Sequence, residues 1–422
     1  VRVAYFAYLL GFSSLYQTAS NHPSFFHFLC FMSHTVILSA VRTPIGSFGG
    51  VLSSFTAPQL GAIAIREAIA KSTIDPASID EVIVGQVLQA GVGQAPGRQA
   101  SMLAGIPVSV PVTTINKVCS SGLKAVMYGD QAIRSGDAHI VVSAGQESMS
   151  NAPYLLPKAR NGYRLGHGQV IDSLNYDGLE DAQDHSAMGL CGELCADKYG
   201  FTREQQDEYT IRTYKRAQEA QAQGAFINEM IGVDVESKKG TTRIDTDEEP
   251  ARVQFEKIPT LRPVFKKDGT ITVANASSIN DGASALVLAS AQKAQELGIA
   301  PIARILAQAT FAQEPKWFTT APVGAIARAV EKAGLTINEI DLFEINEAFA
   351  AVTMAAMHDH HISADKVNVH GGAVSLGHPI GASGARILTT LIHALRRHGK
   401  RYGVASLCNG GGEATALVIE AL

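Results

Sequence analysis

Gly61-Ala-Ile-Ala-Ile-Arg-Glu-Ala-Ile-Ala-Lys71 leads into Ile79-Asp-Glu-Val-Ile-Val84, and a related pair returns about 260 residues later. There Gly324-Ala-Ile-Ala-Arg-Ala-Val-Glu-Lys332 leads into Ile337-Asn-Glu-Ile-Asp-Leu342. In the first copy Leu60, Ile63, Ala64 and Ala68 fall on one stripe, which predicts a helix over Gln59–Lys71. The short apolar run after it predicts a strand over Ile79–Val84. The second copy predicts a helix over Pro322–Ala333 and a strand after it. A second echo supports the first: a predicted strand His139–Ala144 ends in Gly145, and Tyr402–Leu407 ends near Gly410. Helix–strand units recurring in each half predict a duplicated α/β chain with a pseudo-twofold pair of domains.

Outward from these units the alternation continues. Thr35–Ala40 reads as a buried strand, and a helix is expected to open at Asn116–Cys119 and run to about Arg134. Between the halves the texture changes. Asn151–Asp177 is polar and aperiodic, and Gly232–Phe265 is charged and interrupted by Pro250, Pro259 and Pro263. Thr202–Gln223 reads as a long helix with Thr202 as N-cap and Gln205 closing a capping box. So long an insertion predicts a loop domain covering a site. The predicted boundaries are 35–150 plus 280–300 for the N-terminal half, 151–279 for the loop domain and 301–422 for the C-terminal half. Residues 1–34 carry no acidic residue and one basic residue, Arg2, but nine aromatics. They read as a non-conforming N-terminal extension, disordered or not translated.

Composition narrows the function class. The 422 residues are 46% hydrophobic and 18% charged, with 35 Lys+Arg against 39 Asp+Glu and a net charge of −4. That excludes intrinsic disorder and argues against a broad nucleic-acid surface, which needs a basic excess to meet phosphates. Five cysteines are few and odd in number, so a reducing compartment is expected rather than a disulfide framework. No run of 18 apolar residues occurs, so no membrane span is expected.

Reactive residues sit in small-residue contexts at predicted strand–helix junctions, where open α/β sheets bind ligands. In Asn116-Lys-Val-Cys119-Ser-Ser-Gly122, Cys119 is expected in the first turn of the following helix, where unpaired amides favour thiolate. In His370-Gly-Gly-Ala-Val-Ser-Leu-Gly-His378-Pro-Ile-Gly381, His378 is held between Gly377 and Pro379, and an imidazole is a suitable base for a thiol. Leu407-Cys408-Asn-Gly410-Gly-Gly-Glu413 closes what reads as the last strand, with Cys408 a second thiol able to act as base. Asn346, in Asn346-Glu-Ala-Phe349 at a predicted helix start, is either an N-cap or a holder of water or oxyanion. If these groups converge, the chemistry is acyl transfer through a thioester. Cys191 and Cys195 with His185 lack a fourth soft ligand, so no zinc site is expected.

Five co-ordered motifs make the chain resemble the thiolase family across Ser33–Leu422, closest to its short-chain acetyl-CoA acetyltransferases. They are Val41-Arg-Thr-Pro-Ile-Gly46, Val118-Cys-Ser-Ser-Gly122, Asn346-Glu-Ala-Phe349, Gly372-Ala-Val-Ser-Leu-Gly-His-Pro-Ile-Gly381 and Cys408-Asn-Gly-Gly-Gly412. The resemblance implies an α/β thiolase-like fold, two pseudo-symmetric halves forming a five-layered α-β-α-β-α core with an inserted loop domain, assembled as a homotetramer. It implies a reversible Claisen condensation of two acetyl-CoA to acetoacetyl-CoA and coenzyme A, by a ping-pong route through acetyl-cysteine. Cys119 would be the acylated nucleophile, His378 its activator and Cys408 the acid/base. Asn346 would orient a water that completes one oxyanion hole with His378, and the amides of Cys119 and Gly410 would form the other. Arg252, Ser277 and Met188 would contact coenzyme A.

No metal, cofactor, membrane or nucleic-acid partner is implied, and a cytoplasmic location is expected, with a mitochondrial one as alternative. One position departs from the family pattern. The pantetheine loop reads Ala187-Met188-Gly189 where acetyl-specific relatives carry His-Met-Gly, and His185 is a candidate to compensate. Pro250 stands where potassium-responsive relatives place Tyr, so no potassium site is expected. The competing readings are a broader-chain 3-ketoacyl-CoA thiolase and a non-catalytic acyl-CoA or lipid-binding relative.

Overall fold

The computed structural model describes residues 34–422; the reading of residues 1–34 as an extension therefore lies almost wholly outside the described residues. Nine strands and eight longer helices frame the site. In chain order they are β1 (Thr35–Arg42), α1 (Ala57–Ser72), β2 (Glu81–Gly85), α2 (Pro96–Leu103), β3 (Val112–Ile115), α3 (Ser121–Ser135) and β4 (Ile140–Ser148). Then follow α4 (Met188–Tyr199), α5 (Arg203–Ala222), β5 (Asn280–Ser290), β6 (Ala303–Ala312), α6 (Ala321–Lys332), β7 (Leu342–Ile345), α7 (Ala350–His360), α8 (Ile380–Arg397), β8 (Tyr402–Asn409) and β9 (Glu413–Ala421).

The sheet order displays the duplication. The strands run β7-β8-β9-β6-β1-β5-β4-β2-β3 in one mixed sheet. In the N-terminal half β2 is parallel to β4, β4 antiparallel to β5, and β5 antiparallel to β1. In the C-terminal half β7 is parallel to β8, β8 antiparallel to β9, and β9 antiparallel to β6. The halves meet where β1 touches β6 through only Val36–Arg304 and Ile37–Ala303. The quoted repeat is α1–β2 and α6–β7.

Layering follows from which faces are apolar. Helix α1 closes an outer core with Leu60, Ile65 and Ala68 against Val82, Val142 and Val287. Helix α6 does the same with Ile326 and Val330 against Phe343, Val404 and Val418. Between the half-sheets lie α3 and α8, and α8 packs on β4 and β5 on one side and on β7 and β8 on the other. A helix in contact with protein all round is expected to be mostly apolar or small. Ile380–Leu391 is accordingly buried at every position, with Arg386 the one charged exception, 3.6 Å from Glu344. The result is the α-β-α-β-α stack the resemblance implied.

The same connection is made differently in the two halves. In the C-terminal half β8 turns into β9 through Gly410–Gly412, whereas between β4 and β5 the chain inserts residues 149–279. That insertion holds α4 and α5, and α5 carries the capping box read from Thr202 and Gln205.

Several boundaries differ from the sequence reading. Tyr402–Leu407 is not part of the last strand; β9 follows it, and β3 and β6 are strands the periodicity missed. β6 (ARILAQATFA) and β9 (EATALVIEA) are rich in alanine, which carries little β signal of its own. The helix expected from Asn116–Cys119 begins only at Ser121, and the one expected from Asn346 begins at Ala350, after Phe349 in extended conformation.

Candidate active site

Cys119 is not in the first turn of α3, as expected, but on a tight turn just before it. Val118 adopts a left-handed conformation, φ 47°, which only surrounding structure can hold in a β-branched residue. The turn is locked locally. The amide of Lys117 donates to Ser121 Oγ (2.8 Å), Ser121 Oγ donates to the Val118 carbonyl (2.6 Å), and the Val118 amide donates to Asn116 Oδ1 (2.8 Å).

The β8–β9 hairpin is latched onto this turn. Ser120 Oγ donates to Asn409 Oδ1 (2.8 Å) and accepts from Thr415 Oγ1 (3.1 Å), and Lys117 pairs with Glu413. The latch sets the Gly410 amide to donate to the Cys119 sulfur. Gly412 is required for the turn: its φ is 86°, and a Cβ there would meet the Gln313 carbonyl oxygen at 2.3 Å.

His378 enters from the opposite half. Its amide donates to Asn280 Oδ1 (2.8 Å) on β5, and Gly377 before it has φ 104° with Asn280 Cγ only 2.5 Å from where a Cβ would stand. Ser383, one turn into α8, lies 2.6 Å from His378 Nδ1 and donates its own hydrogen to the Pro379 carbonyl. Ser383 Oγ therefore accepts from Nδ1–H, which makes Nε2 the unprotonated nitrogen. Asn346 Nδ2 donates to Nε2 in a long bond of 3.5 Å. Asn346 is 1% exposed, its Oδ1 has no hydrogen-bond partner, and it does not cap α7.

Burial dominates the electrostatics. Desolvation pushes the Cys119 thiol up to about 12, opposed by the Gly410 amide, rather than down as the helix-terminus argument predicted. Cys119 stands just before the N-cap of α3, and desolvation outweighs the amides that face its sulfur. Desolvation likewise lowers His378 to about 3, with the Arg386 charge adding to it. The resting pair is a neutral thiol beside a neutral imidazole. Cys408 is fully buried, and its thiol is raised well above the usual range by burial and then by charge on Cys119.

Cys119, His378 and Gly410 share a cavity of about 310 Å³ with Met188, Ser277 and Phe349. Cys408 lies behind it, packed with Phe318, Phe349 and Val352. Ala187 faces the same cavity. His185 does not: it stacks on Tyr176 at 5.1 Å between centroids, with Nδ1 3.6 Å from Glu180, and cannot replace the missing imidazole. Arg252 also lies elsewhere, its side chain 57% exposed and 3.6 Å from Glu248. Cys195 donates to the Ala351 carbonyl and Cys191 packs in the apolar shell. Among the described residues no group of three or more His, Cys, Asp or Glu side chains could hold a metal ion.

Sequence reasoning missed Ser383 and Asn280. Ser383 was discoverable as the only hydroxyl within one turn C-terminal to His378. Asn280 had no local signal.

The chain matches the thiolase N-terminal domain over residues 35–292 and the thiolase C-terminal domain over residues 299–421. It belongs to the thiolase family. This thiolase is 49% identical over 409 residues to a probable acetyl-CoA acetyltransferase of Dictyostelium discoideum, covering 97% of this chain and 96% of that one. It is 51% identical to acetyl-CoA acetyltransferase 1 of Arabidopsis thaliana, covering 91% and 93%. Among solved structures it resembles a thiolase from Ascaris suum in complex with coenzyme A. That likeness has TM-score 0.88 and 48% identity, with 92% of this chain and 100% of that one covered.

Proposed function

We propose that this thiolase is an acetyl-CoA C-acetyltransferase, condensing two acetyl-CoA to acetoacetyl-CoA and coenzyme A and running the reverse thiolysis. The observation that carries the reading is one small cavity shared by a thiol, Cys119, an imidazole with its Nε2 unprotonated, His378, and an inward amide, Gly410. Relatives at about half identity over nearly their whole length are acetyl-CoA acetyltransferases, which supports acetyl-CoA and coenzyme A as substrates.

In the first half His378 Nε2 takes the Cys119 proton as Sγ attacks the thioester carbonyl. The Cys119 and Gly410 amides receive the developing oxyanion, each such donor contributing about 3–4 kcal/mol. The carbon–sulfur bond to coenzyme A breaks and its thiolate takes up the Cys408 proton, leaving acetyl-Cys119, the His378 imidazolium and a Cys408 thiolate. In the second half the Cys408 thiolate removes an α-proton from another acetyl-CoA. Asn346, through a water held at Oδ1, and His378 would stabilise the enolate oxygen. The carbanion attacks acetyl-Cys119, the new carbon–carbon bond forms, and Cys119 leaves as thiolate and is reprotonated. Met188 and Ser277 would line the pantetheine channel. Arg252 would be the adenine-side contact.

The test is exchange of isotope between labelled coenzyme A and acetyl-CoA with no second acyl acceptor present. A ping-pong enzyme exchanges at a rate comparable to turnover; no exchange would refute the acyl-enzyme. A second reading, a broader-chain 3-ketoacyl-CoA thiolase, is favoured by Ala187 facing the cavity with His185 turned away. Thiolysis rates equal for acetoacetyl-CoA and a long-chain 3-ketoacyl-CoA would establish it. Assembly as a homotetramer, to be read by sedimentation, belongs to the same reading. So does a cytoplasmic location, supported by a relative of Gibberella zeae, 47% identical, whose name places it in the cytosol. No helix among the described residues is long and apolar enough to cross a membrane.

A further inference from the structure

Glu147, near the end of β4, is fully buried and takes no part in the chemistry above. Among the described residues no Lys, Arg or His pairs with it. Its carboxylate instead accepts three backbone amides: Val87 (3.0 Å) and Gly381 (2.9 Å) on Oε2, and Leu88 (3.2 Å) on Oε1. Val87 and Leu88 follow β2 of the N-terminal half, whereas Gly381 is in the first turn of α8, three residues after His378.

The surroundings are backbone against backbone. A Cβ on Gly145 would stand 2.6 Å from the Gly381 carbonyl oxygen and 3.1 Å from Gly122 Cα, and one on Gly381 would stand 2.6 Å from Glu147 Oε2. So β4, the helix after Cys119 and the helix after His378 touch at glycines, and Glu147 sits on that seam. A buried carboxylate with no cation is costly to keep, and here desolvation raises it to about 7. Its bonds join the two halves beside the reacting pair. The titratable groups that sense its charge or act on it are Cys119, on the turn before α3, and Asp281, on β5.

We propose that Glu147 is a positioning residue, its carboxylate pinning the head of α8 to the β2 edge and so fixing the spacing and electrostatics between Cys119 and His378. This rests on the reading of those two residues as the reacting pair. A carboxylate is suited to the place because it offers acceptors alone, whereas an amide would present a donor to at least one N–H. Its negative charge also disfavours thiolate at Cys119, so the nucleophile stays protonated until His378 takes the proton in the presence of substrate.

The experiment compares the full chain with Glu147→Gln and Glu147→Ala. The rate of Cys119 alkylation by iodoacetamide, which below the thiol's titration is proportional to the thiolate fraction, is followed by peptide mass across pH 8 to 10, without substrate, alongside kcat and KM for acetyl-CoA. Gln keeps the two bonds to one oxygen but not the charge. Its alkylation rate at each pH should rise about threefold or more, with kcat reduced less than in the Ala variant. The Ala variant should lose about tenfold or more in kcat with KM within about twofold. A Glu147→Gln alkylation rate equal to that of the wild type, or a folded Ala variant with unchanged kcat, would overturn the proposal. If the Ala variant does not fold, the Gln rate decides. Because alkylation needs no acyl donor, a wild-type enzyme that forms no acetyl-Cys119 would count against the reading of the pair and not against Glu147.

Discussion

Ser383→Ala isolates the device that makes His378 a base. The hydroxyl lies 2.6 Å from Nδ1, is fully buried and touches no reacting atom. Removing it leaves Nδ1–H without an acceptor in a dry site, and a buried donor without a partner costs about 1–3 kcal/mol. The imidazole then no longer favours the tautomer with Nε2 unprotonated, and the imidazolium formed during proton transfer loses a charge-assisted bond. At about 1.4 kcal/mol per tenfold, the expected fall in kcat is about ten- to a hundredfold. KM for acetyl-CoA should change little, because Ser383 does not line the cavity. Steady-state thiolysis of acetoacetyl-CoA reads both constants, and the thermal midpoint of the variant checks that the fold survives. A folded Ser383→Ala enzyme within twofold of wild-type kcat would refute the assignment of the tautomer and with it the route of the proton.

Cys408→Ser should form acetoacetyl-CoA about a hundred- to ten-thousandfold more slowly and slow the exchange of coenzyme A with acetyl-CoA much less, because the departing thiolate can take a proton from water whereas the α-carbon has no other base. Gly377→Ala forces a Cβ to within 2.5 Å of Asn280 at φ 104°; it should lower stability by about 2 kcal/mol or more and depress kcat, as read by denaturant unfolding and turnover. Arg42→Met leaves Glu229 and Asp247 buried without the guanidinium that now bonds both, at 2.5 and 2.7 Å. A loss of about 3–5 kcal/mol of stability is expected, with the kcat of the folded fraction preserved.

The parts of the fold that could be read from the sequence were those whose neighbours along the chain carry the signal. The α1–β2 and α6–β7 units repeat both their apolar spacing and the strand that follows, so the duplication was visible before any contact was known. The capping box at Thr202 and Gln205 is likewise local, three residues apart. What was hidden depends on long-range packing. β6 and β9 are strands because they pair with each other and with β1 and β8, and their alanines fit a crowded sheet rather than favouring one. The turn at Val118 is held in a left-handed conformation by Asn116, Ser121 and the β8–β9 hairpin, so nothing in Lys-Val-Cys revealed that Cys119 precedes α3. The direction of its thiol shift was misread for the same reason, since desolvation is a property of the assembled pocket. His378 and Gly410 could be found in their glycine-rich stretches. Asn280, nearly a hundred residues from His378, could not.

Every step of the account passes through an acetyl group on one sulfur. Mass spectrometry of the enzyme quenched after mixing with acetyl-CoA, followed by peptide mapping, measures that directly. A single acetyl on the Cys119 peptide, absent in Cys119→Ser and still formed in Cys408→Ser, is the predicted result. An unmodified Cys119 peptide, or an acetyl found on Cys408 instead, would contradict it.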